Sequence, residues 1–284
     1  MRHTAVAAAL TLVVLAGANA QAGGPRPILV ELYTSQGCSS CPPADALLGK
    51  LTQRKGVIAL SLPITYWDMF GWKDTLAGEA NTRRQKAYAA AMGHGGVYTP
   101  QIVIEGTRDV VGSRSDEVED AVDEAADAVD EANDDEEDRT EITLPAELTS
   151  VAAVVRRRPS GNAWSVAVDL RPTAQKLHVA IGGAPETAGK AKIDATIWLF
   201  RLRSSATVRI LAGENGGRTA TYRNVVNDIA DVGRWHGKAV AFDLPRAGAK
   251  TPAHDSLVVI VQQGGYGRVL GAAFLGQATY YAQQ

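Results

Sequence analysis

The chain has 284 residues, 45% of them hydrophobic and 21% charged, and its 29 basic and 31 acidic side chains give a formal net charge of −2. This length suggests about two domains with a sizeable core, and the composition excludes an intrinsically disordered or collagen-like chain. The two cysteines are too few for a disulfide-stapled scaffold and for a zinc or iron–sulfur site built from cysteines alone.

The negative charge is concentrated in one segment. Residues 116–138 contain 14 of the acidic side chains and no Lys or Arg, so the rest of the chain carries a net charge of +12. A basic chain can bind nucleic acid or an acidic ligand. The basic residues are scattered here, however, and no Lys/Arg cluster is interleaved with aromatic residues, so we expect no nucleic-acid partner.

The first residues predict export. An uncharged apolar run over residues 5–16 follows a short basic start and precedes Ala18-Asn19-Ala20. This is the pattern of a secretory signal peptide over residues 1–20, with cleavage after Ala20. The apolar run is much shorter than the roughly 20 residues that a membrane helix needs, so we expect no membrane span. The mature protein is expected in the periplasm or outside the cell, where disulfides persist.

Residues 21–138 alternate strand-like and helix-like segments and predict an α/β domain. The predicted strands are residues 28–33, 57–62, 101–105 and 110–111, and the predicted helices are residues 45–50 and 80–92. In the acidic segment, apolar residues recur at helical spacing at Val118, Val122, Ala125, Val129 and Ala132. This spacing predicts a helix with one packed face and an anionic outer face. The stripe ends at Ala132, so we expect residues 133–138 to be frayed or a linker.

Residues 139–284 have a different pattern, with short β-rich runs between Gly-rich turns. The runs are residues 151–156, 164–170, 177–181, 193–202, 208–211, 239–244, 257–262 and 269–274. Short strands at this spacing predict an all-β, sandwich-like domain. We therefore place the domain boundary between residues 138 and 139.

The two cysteines form a CxxC motif, Cys38-Ser39-Ser40-Cys41, between a buried strand and a helix. Cysteines at this spacing can close a small disulfide ring, and the helix start favours a thiolate at the first of them. In this context the motif indicates a redox-active dithiol. A structural disulfide is one alternative, although so small a ring adds little stability. Half of a metal site is another, although no second CxxC or His pair lies nearby.

Two further residues belong to the predicted site. Glu31 is the one charged residue in an apolar strand, and a buried acid behind a dithiol can accept the proton of Cys41 when a mixed disulfide resolves. The alternative is that Glu31 faces solvent. Pro100 opens the third strand after a glycine-rich loop, where a cis bond would fit and where the loop could position a thiol partner. The alternative is an ordinary trans proline.

The order of strand, CxxC, helix, strand, helix, Thr-Pro, two strands and helix resembles the thioredoxin fold over residues 26–133. More closely, several motifs resemble a secreted family catalogued as domain of unknown function 1223. These motifs are residues 31–45, 66–68, 71–74, 97–101, 213–215 and 222–226. The resemblance implies a thioredoxin-like domain joined to a β-rich one, and it implies no activity, because the family's function is unknown.

One feature departs from ordinary thioredoxins. Pro42 and Pro43 follow Cys41 directly, and proline suits the first helical position but lacks an N–H. We therefore expect the regular helix to begin at Cys41 rather than at Cys38. Fewer amide donors then face Cys38, which should be less activated than in a strong oxidant, though still the more exposed of the two sulfurs.

The sequence thus favours an exported thiol–disulfide oxidoreductase without a cofactor or a resident metal, acting on protein or small-molecule thiols and disulfides. Cys38, Cys41, Glu31 and Pro100 are the predicted catalytic residues. One alternative is a copper-handling protein that binds Cu(I) through the same cysteines and His94. The other is a non-enzymatic interaction module on a thioredoxin scaffold. The aromatic and acidic loop of residues 66–74 could line a groove beside Cys38, fold over the domain core or form the contact surface to the second domain.

Overall fold

The computed structural model describes residues 26–137, 164–173, 175–189, 192–245 and 254–276. The predicted signal peptide and the predicted strand at residues 151–156 lie outside the described residues. The first part contains β1 (Ile28–Thr34), α1 (Pro42–Leu51), β2 (Val57–Pro63), α2 (Glu79–Ala91), β3 (Gln101–Ile104), β4 (Arg108–Val111) and α3 (Ser115–Glu137). The second part contains β5 (Val168–Pro172), β6 (Lys176–Ile181), β7 (Ala195–Arg209), β8 (Thr219–Trp235), β9 (Val240–Pro245), β10 (Ser256–Gln263) and β11 (Val269–Leu275).

The described residues form a mixed α/β fold, with one sheet of eight strands and one of three. The large sheet has the order β11-β10-β7-β8-β2-β1-β3-β4, and the small antiparallel sheet has the order β5-β6-β9. β1 is parallel to β2 and antiparallel to β3. The two parts of the chain join where β2 runs parallel to β8, at the pair Ser61 and Val225. The large sheet therefore extends across both predicted domains, and their division at residue 138 stays a prediction.

Both faces of β1 are buried, which explains its continuous apolar sequence. On one face, Val30 and Leu32 pack against α1 and α3. On the other face, Leu29 and Tyr33 pack with Tyr88 of α2 in a cluster that continues into β7, β8, β10 and β11. The core on this second face is thus shared by the two parts of the chain. β1 carries the CxxC turn at its end, so the turn is anchored to a strand that is buried at every residue.

The small sheet covers part of the large one. Leu177 and Val179 of β6 pack against Leu199 of β7 and Val259 of β10 in a third apolar cluster. Alternate residues of β6 are buried, which matches a sheet with one packed face and one solvated face. The strands of the predicted sandwich-like part are therefore divided between two sheets, and the four strands β7, β8, β10 and β11 extend the sheet of the first part.

β8, a strand of 17 residues, is missing from the strands predicted above. Its polar and apolar residues are mixed without regular alternation, and its buried residues, Tyr222, Val225, Val226 and Trp235, are irregularly spaced. It forms because it pairs along its length with β7, through two register shifts. The predicted strand at residues 208–211 was wrong as a separate element, because residues 208 and 209 are the end of β7.

The acidic segment is helical, as its spacing predicts. Val118 and Val122 are fully buried against α1 and β1, and Val129 is 8% exposed in the same cluster. The helix runs to Glu137, so residues 133–137 continue it beyond the apolar stripe and do not form a linker. Its described ion pairs are Arg54–Asp123, Arg108–Glu124 and Arg114–Glu117. None of the described helices is long and apolar enough to cross a membrane.

Candidate functional site

The CxxC motif forms the turn between β1 and α1. The amide of Cys38 donates to the Ser35 carbonyl at 3.2 Å, and the amide of Cys41 donates to the Cys38 carbonyl at 3.2 Å. α1 begins at Pro42 with Cys41 as its N-cap residue, one residue later than expected. Pro42 and Pro43 occupy the first helical positions, where an absent N–H costs least.

Cys38 and Cys41 are joined by a disulfide, with their Cα atoms 5.4 Å apart. Both cysteines are fully buried, whereas Ser39 and Ser40 between them are exposed. The expectation that Cys38 is the more exposed sulfur was therefore wrong. Other segments cover the pair, so a partner reaches the sulfurs only if part of this cover moves.

One covering segment is the loop between β7 and β8, residues 210–218. Asn215 Nδ2 donates to the carbonyl oxygens of Gln36 at 3.0 Å and of Cys38 at 2.8 Å. Glu214 Oε2 accepts a hydrogen bond from the Ser39 amide at 3.0 Å. The loop comes from the second part of the chain and bonds three of the four consecutive residues from Gln36 to Ser39. The CxxC turn is thus a contact surface between the two parts.

The segment after β2 covers the turn from another side. Trp72 Nε1 donates to Gln36 Oε1 at 2.8 Å, and the Gln36 amide donates to Asp74 Oδ2 at 2.8 Å. Burial raises the pKa of Asp74, although hydrogen bonds from the amides of Gln36 and Leu76 oppose this. The predicted aromatic and acidic loop therefore lies against the CxxC turn, and Gln36 is the residue that connects them.

Trp67 links the CxxC turn to the loop that precedes β3. Its indole Nε1 donates to Thr99 Oγ1 at 2.7 Å. On its other side, a Cβ added to Gly37 would lie 3.5 Å from the Cβ of Trp67. The Trp67 side chain therefore reaches from the residue before Cys38 to the residue before Pro100.

Pro100 follows a cis peptide bond from Thr99, which was the expectation for this position. A Cβ added to Gly112 would lie 3.2 Å from the Cβ of Pro100 and 3.1 Å from the Cβ of Ala44 in α1. Pro100 and the first turn of α1 are thus neighbours across Gly112. The cis proline, Trp67 and the cysteines share one end of the large sheet.

Glu31 is buried, as predicted, but its carboxylate is fully engaged. Arg84 Nε donates to Oε1 at 2.6 Å, Arg84 Nη2 donates to Oε2 at 3.1 Å, and the Tyr88 hydroxyl donates to Oε2 at 2.6 Å. Neighbouring residues of β1 alternate between its faces, and Glu31 shares the face of Leu29 and Tyr33, opposite α1. Its charge is therefore paired with Arg84, on the face of β1 that lies away from the helix after the CxxC.

A second acid, Asp45, lies one helical turn after Cys41 in α1. Its Oδ1 accepts a hydrogen bond from Thr34 Oγ1 at 2.8 Å. Burial and the negative charge of Asp74 together raise the pKa of Asp45 to about 8, although the hydrogen bond from Thr34 acts in the opposite direction. A carboxyl with such a pKa can give up and take up a proton near neutral pH. Its sequence signal was an acid in the first turn of the helix after the CxxC.

His94 lies on the surface, where its Nε2 is 3.0 Å from Asp109 Oδ1. Hydrogen bonds from Tyr98, Gln101 and His94 lower the pKa of Asp109, although burial acts in the opposite direction. Among the residues that the structure describes, no group of three or more His, Cys, Asp or Glu side chains is placed to hold a metal ion.

A family model described as protein of unknown function (DUF1223) matches the chain over residues 29–147 and 135–262. The crystal structure of protein AGR_C_4864 from Agrobacterium tumefaciens is 26% identical, with a TM-score of 0.67 over 90% of this chain and 96% of that one. HBP35 of Porphyromonas gingivalis is 11% identical, with a TM-score of 0.51 over 90% of this chain and 76% of that one, so this likeness concerns the fold alone. No curated protein matches the chain.

Proposed function

We propose that this chain, which belongs to the DUF1223 family of proteins of unknown function, is a thiol–disulfide oxidoreductase whose reactive pair is Cys38 and Cys41. The observation that carries the proposal is the disulfide between these residues, at the junction of a buried strand and a helix. A ring this small stabilises a fold only slightly. Its chemistry is therefore a better reason for its presence than its contribution to stability.

The proposal includes a thioredoxin-like fold for the first part. In support, β1, α1 and β2 form a parallel β-α-β unit, and β3 and β4 extend the sheet in antiparallel fashion beyond β1. The cis Thr99–Pro100 bond directly precedes β3. Export to a compartment where disulfides persist belongs to the same proposal.

The reaction exchanges two electrons between two thiols and the protein disulfide. A partner thiolate attacks Cys38 Sγ, the sulfur bond to Cys41 breaks, and Cys41 leaves as a thiolate that takes up a proton. A second partner thiol then attacks the mixed disulfide, which releases the oxidised partner and leaves both cysteines reduced. The reverse sequence oxidises a partner dithiol, and the direction depends on the two reduction potentials.

The proton for Cys41 needs a nearby donor. Glu31 is the residue predicted from the sequence, but its oxygens are held by Arg84 and Tyr88. Asp45 is the better placed acid, because it follows Cys41 by one turn and its raised pKa keeps it protonated at neutral pH. We therefore assign the proton transfer to Asp45 and treat Glu31 as part of the buried framework. Pro100 is proposed to shape the surface against which an extended partner lies.

The test uses the purified protein, a glutathione redox buffer and mass-tagging of free thiols. The pair should interconvert between disulfide and dithiol, Cys38→Ser should abolish exchange, and Cys41→Ser should accumulate a mixed disulfide with glutathione. A pair that no thiol reduces in the folded protein would refute the oxidoreductase proposal. Accumulation of the mixed disulfide by Cys38→Ser instead would exchange the roles of the cysteines.

A copper-handling role, the alternative with the same cysteines, makes a different prediction. The reduced protein would bind one Cu(I) per chain and would not exchange disulfides with glutathione. His94 would have to leave Asp109 to join such a site. Measuring Cu(I) stoichiometry on the same reduced sample distinguishes the two, because the oxidoreductase proposal requires disulfide exchange whether or not copper binds.

A further inference from the structure

The loop between β7 and β8 brings a carboxylate to the CxxC motif. Glu214 Oε2 accepts the hydrogen bond of the Ser39 amide at 3.0 Å, and Ser39 directly follows Cys38. Hydrogen bonds from Ser39 lower the pKa of Glu214, so this carboxylate is negatively charged at neutral pH. A negative charge is therefore fixed beside the residue that carries the reactive sulfur.

The position of Glu214 is fixed by its neighbours in the loop. Asn215, which is 2% exposed, holds the carbonyl oxygens of Gln36 and Cys38. The backbone of Gly213 has a φ of +75°, and a Cβ there would lie 3.0 Å from the Cβ of Trp72. Glycine adopts this backbone conformation readily, and the close contact with Trp72 leaves little space for a side chain. The loop therefore has one well-defined position on the CxxC turn.

A carboxylate at this position acts against the thiolate form of Cys38. Amides at a helix start favour a neighbouring thiolate by directing their N–H groups toward it. Here the Ser39 amide is already bonded to Glu214, and Pro42 and Pro43 have no N–H to contribute. The charge of Glu214 also repels a second negative charge nearby. Both effects disfavour the thiolate in the reduced protein.

We propose that Glu214 is a positioning residue that sets the redox poise of the Cys38–Cys41 pair by making the Cys38 thiolate less favourable and so stabilising the disulfide. The inference rests on the proposed function, because it requires that the Cys38–Cys41 disulfide can be reduced and formed again. The reaction concerned is reduction of the protein disulfide by two glutathione thiols, which gives the protein dithiol and glutathione disulfide. A pair whose thiolate is disfavoured is a weaker oxidant, because stabilising the reduced form is what makes a disulfide strongly oxidising.

The experiment compares Glu214→Gln with Glu119→Gln in the full chain. Glu119 is exposed on α3, so its variant changes the net charge equally without touching the motif. The Cys38 thiol pKa is measured by thiolate absorbance, and the reduction potential is measured in glutathione buffers at pH 8. Glu214→Gln should raise the acid dissociation constant of the Cys38 thiol by roughly two- to fivefold, the range for an interaction of exposed charges. It should shift the redox equilibrium toward the dithiol by at most the same factor, because only the thiolate fraction of the reduced protein contributes.

Salt provides a second readout that a merely structural role would not change. Because Glu214 is exposed, its charge is screened over about 8 Å at physiological ionic strength. The differences in Cys38 thiol pKa and in reduction potential between Glu214→Gln and the parent should therefore become smaller when NaCl is added. If Glu214→Gln and the parent have the same Cys38 thiol pKa and the same reduction potential, the inference is overturned. If the parent pair cannot be reduced at all, it is instead the proposed function that fails.

Discussion

Arg84 Nε donates to Glu31 Oε1 across 2.6 Å, and the two side chains are 2% and 0% exposed. The Arg84 guanidinium carbon also lies 4.9 Å from the ring centroids of Tyr88 and Phe200, and Arg84 Nη2 donates to Gln262 Oε1 at 2.9 Å. Phe200 and Gln262 belong to the second part of the chain. The ion pair is therefore the polar centre of the core that both parts share.

Glu31→Gln should reduce the free energy of unfolding by about 3 kcal/mol, which is near the lower end of the loss for breaking a buried ion pair. The lower end applies because the amide oxygen of Gln keeps one hydrogen bond from Arg84. The uncompensated guanidinium causes the loss. Urea unfolding measures it. The double variant Glu31→Gln/Arg84→Met removes both charges and should recover part of the loss, whereas an additive loss would contradict this account.

Asp45→Asn should slow reduction of the disulfide by glutathione by about 10²-fold at pH 7, the usual lower range for losing a general acid. Asn keeps an oxygen to accept the hydrogen bond from Thr34 but cannot give a proton to Cys41. Stopped-flow measurement of thiol release gives the rate. Glu31→Gln, assayed where it is folded, is the matched comparison and should leave the rate nearly unchanged. If Glu31→Gln slows the reduction more than Asp45→Asn does, the proton transfer belongs to Glu31.

The elements of the first part follow from its sequence because their signals are local. β1 and β2 are continuous apolar runs between turns, and the stripe of α3 has helical spacing. The partner of Glu31 could not be predicted in this way. Arg84 is 53 residues away, and in the sequence it is an ordinary polar residue of a helix rich in such residues. Only the packing of α2 on the sheet turns it inward.

The burial of the two cysteines could not be predicted from local sequence patterns either. Asn215 is separated from Cys38 by 177 residues, and its local sequence indicates only a turn. Its contact depends on β8, whose polar and apolar residues do not alternate regularly and so gave no strand signal, and on the alignment of β8 beside β2. Cys38, Cys41 and the cis bond at Pro100 were visible as motifs, whereas the burial of both sulfurs was set by segments far away in the chain.

Asp45 should also make stability depend on pH. Its ordinary pKa of about 4 applies to the unfolded chain, and burial raises the folded pKa to about 8. Between these values the folded protein binds a proton that the unfolded chain has lost, so stability falls as pH rises, by up to about 1.4 kcal/mol per pH unit. Below about pH 4 and above about pH 8 both states bind the same number of protons, and this contribution is constant.

Asp45→Asn removes that dependence, so the variant should gain stability relative to the parent from pH 4 to pH 8. Urea unfolding at a series of pH values gives the difference directly. Asp74 also has a raised pKa, but it is present in both proteins and contributes to both curves. A difference that stays constant with pH would mean that Asp45 ionises in the folded protein at its ordinary pKa.

The acidic helix α3 should become more protected from hydrogen exchange when NaCl is added. Its carboxylates repel one another, and screening over about 8 Å weakens that repulsion. Its described ion pairs with Arg54, Arg108 and Arg114 are exposed and are worth about 0–1 kcal/mol each, so weakening them costs less than relieving the repulsion gains. The buried contacts of Val118 and Val122 do not depend on salt. Hydrogen exchange at 20 and 500 mM NaCl, where the Debye length is about 20 Å and about 4 Å respectively, measures the change, with α1 as the internal reference. A fall in the protection of α3 at high salt would instead show that its ion pairs outweigh the repulsion.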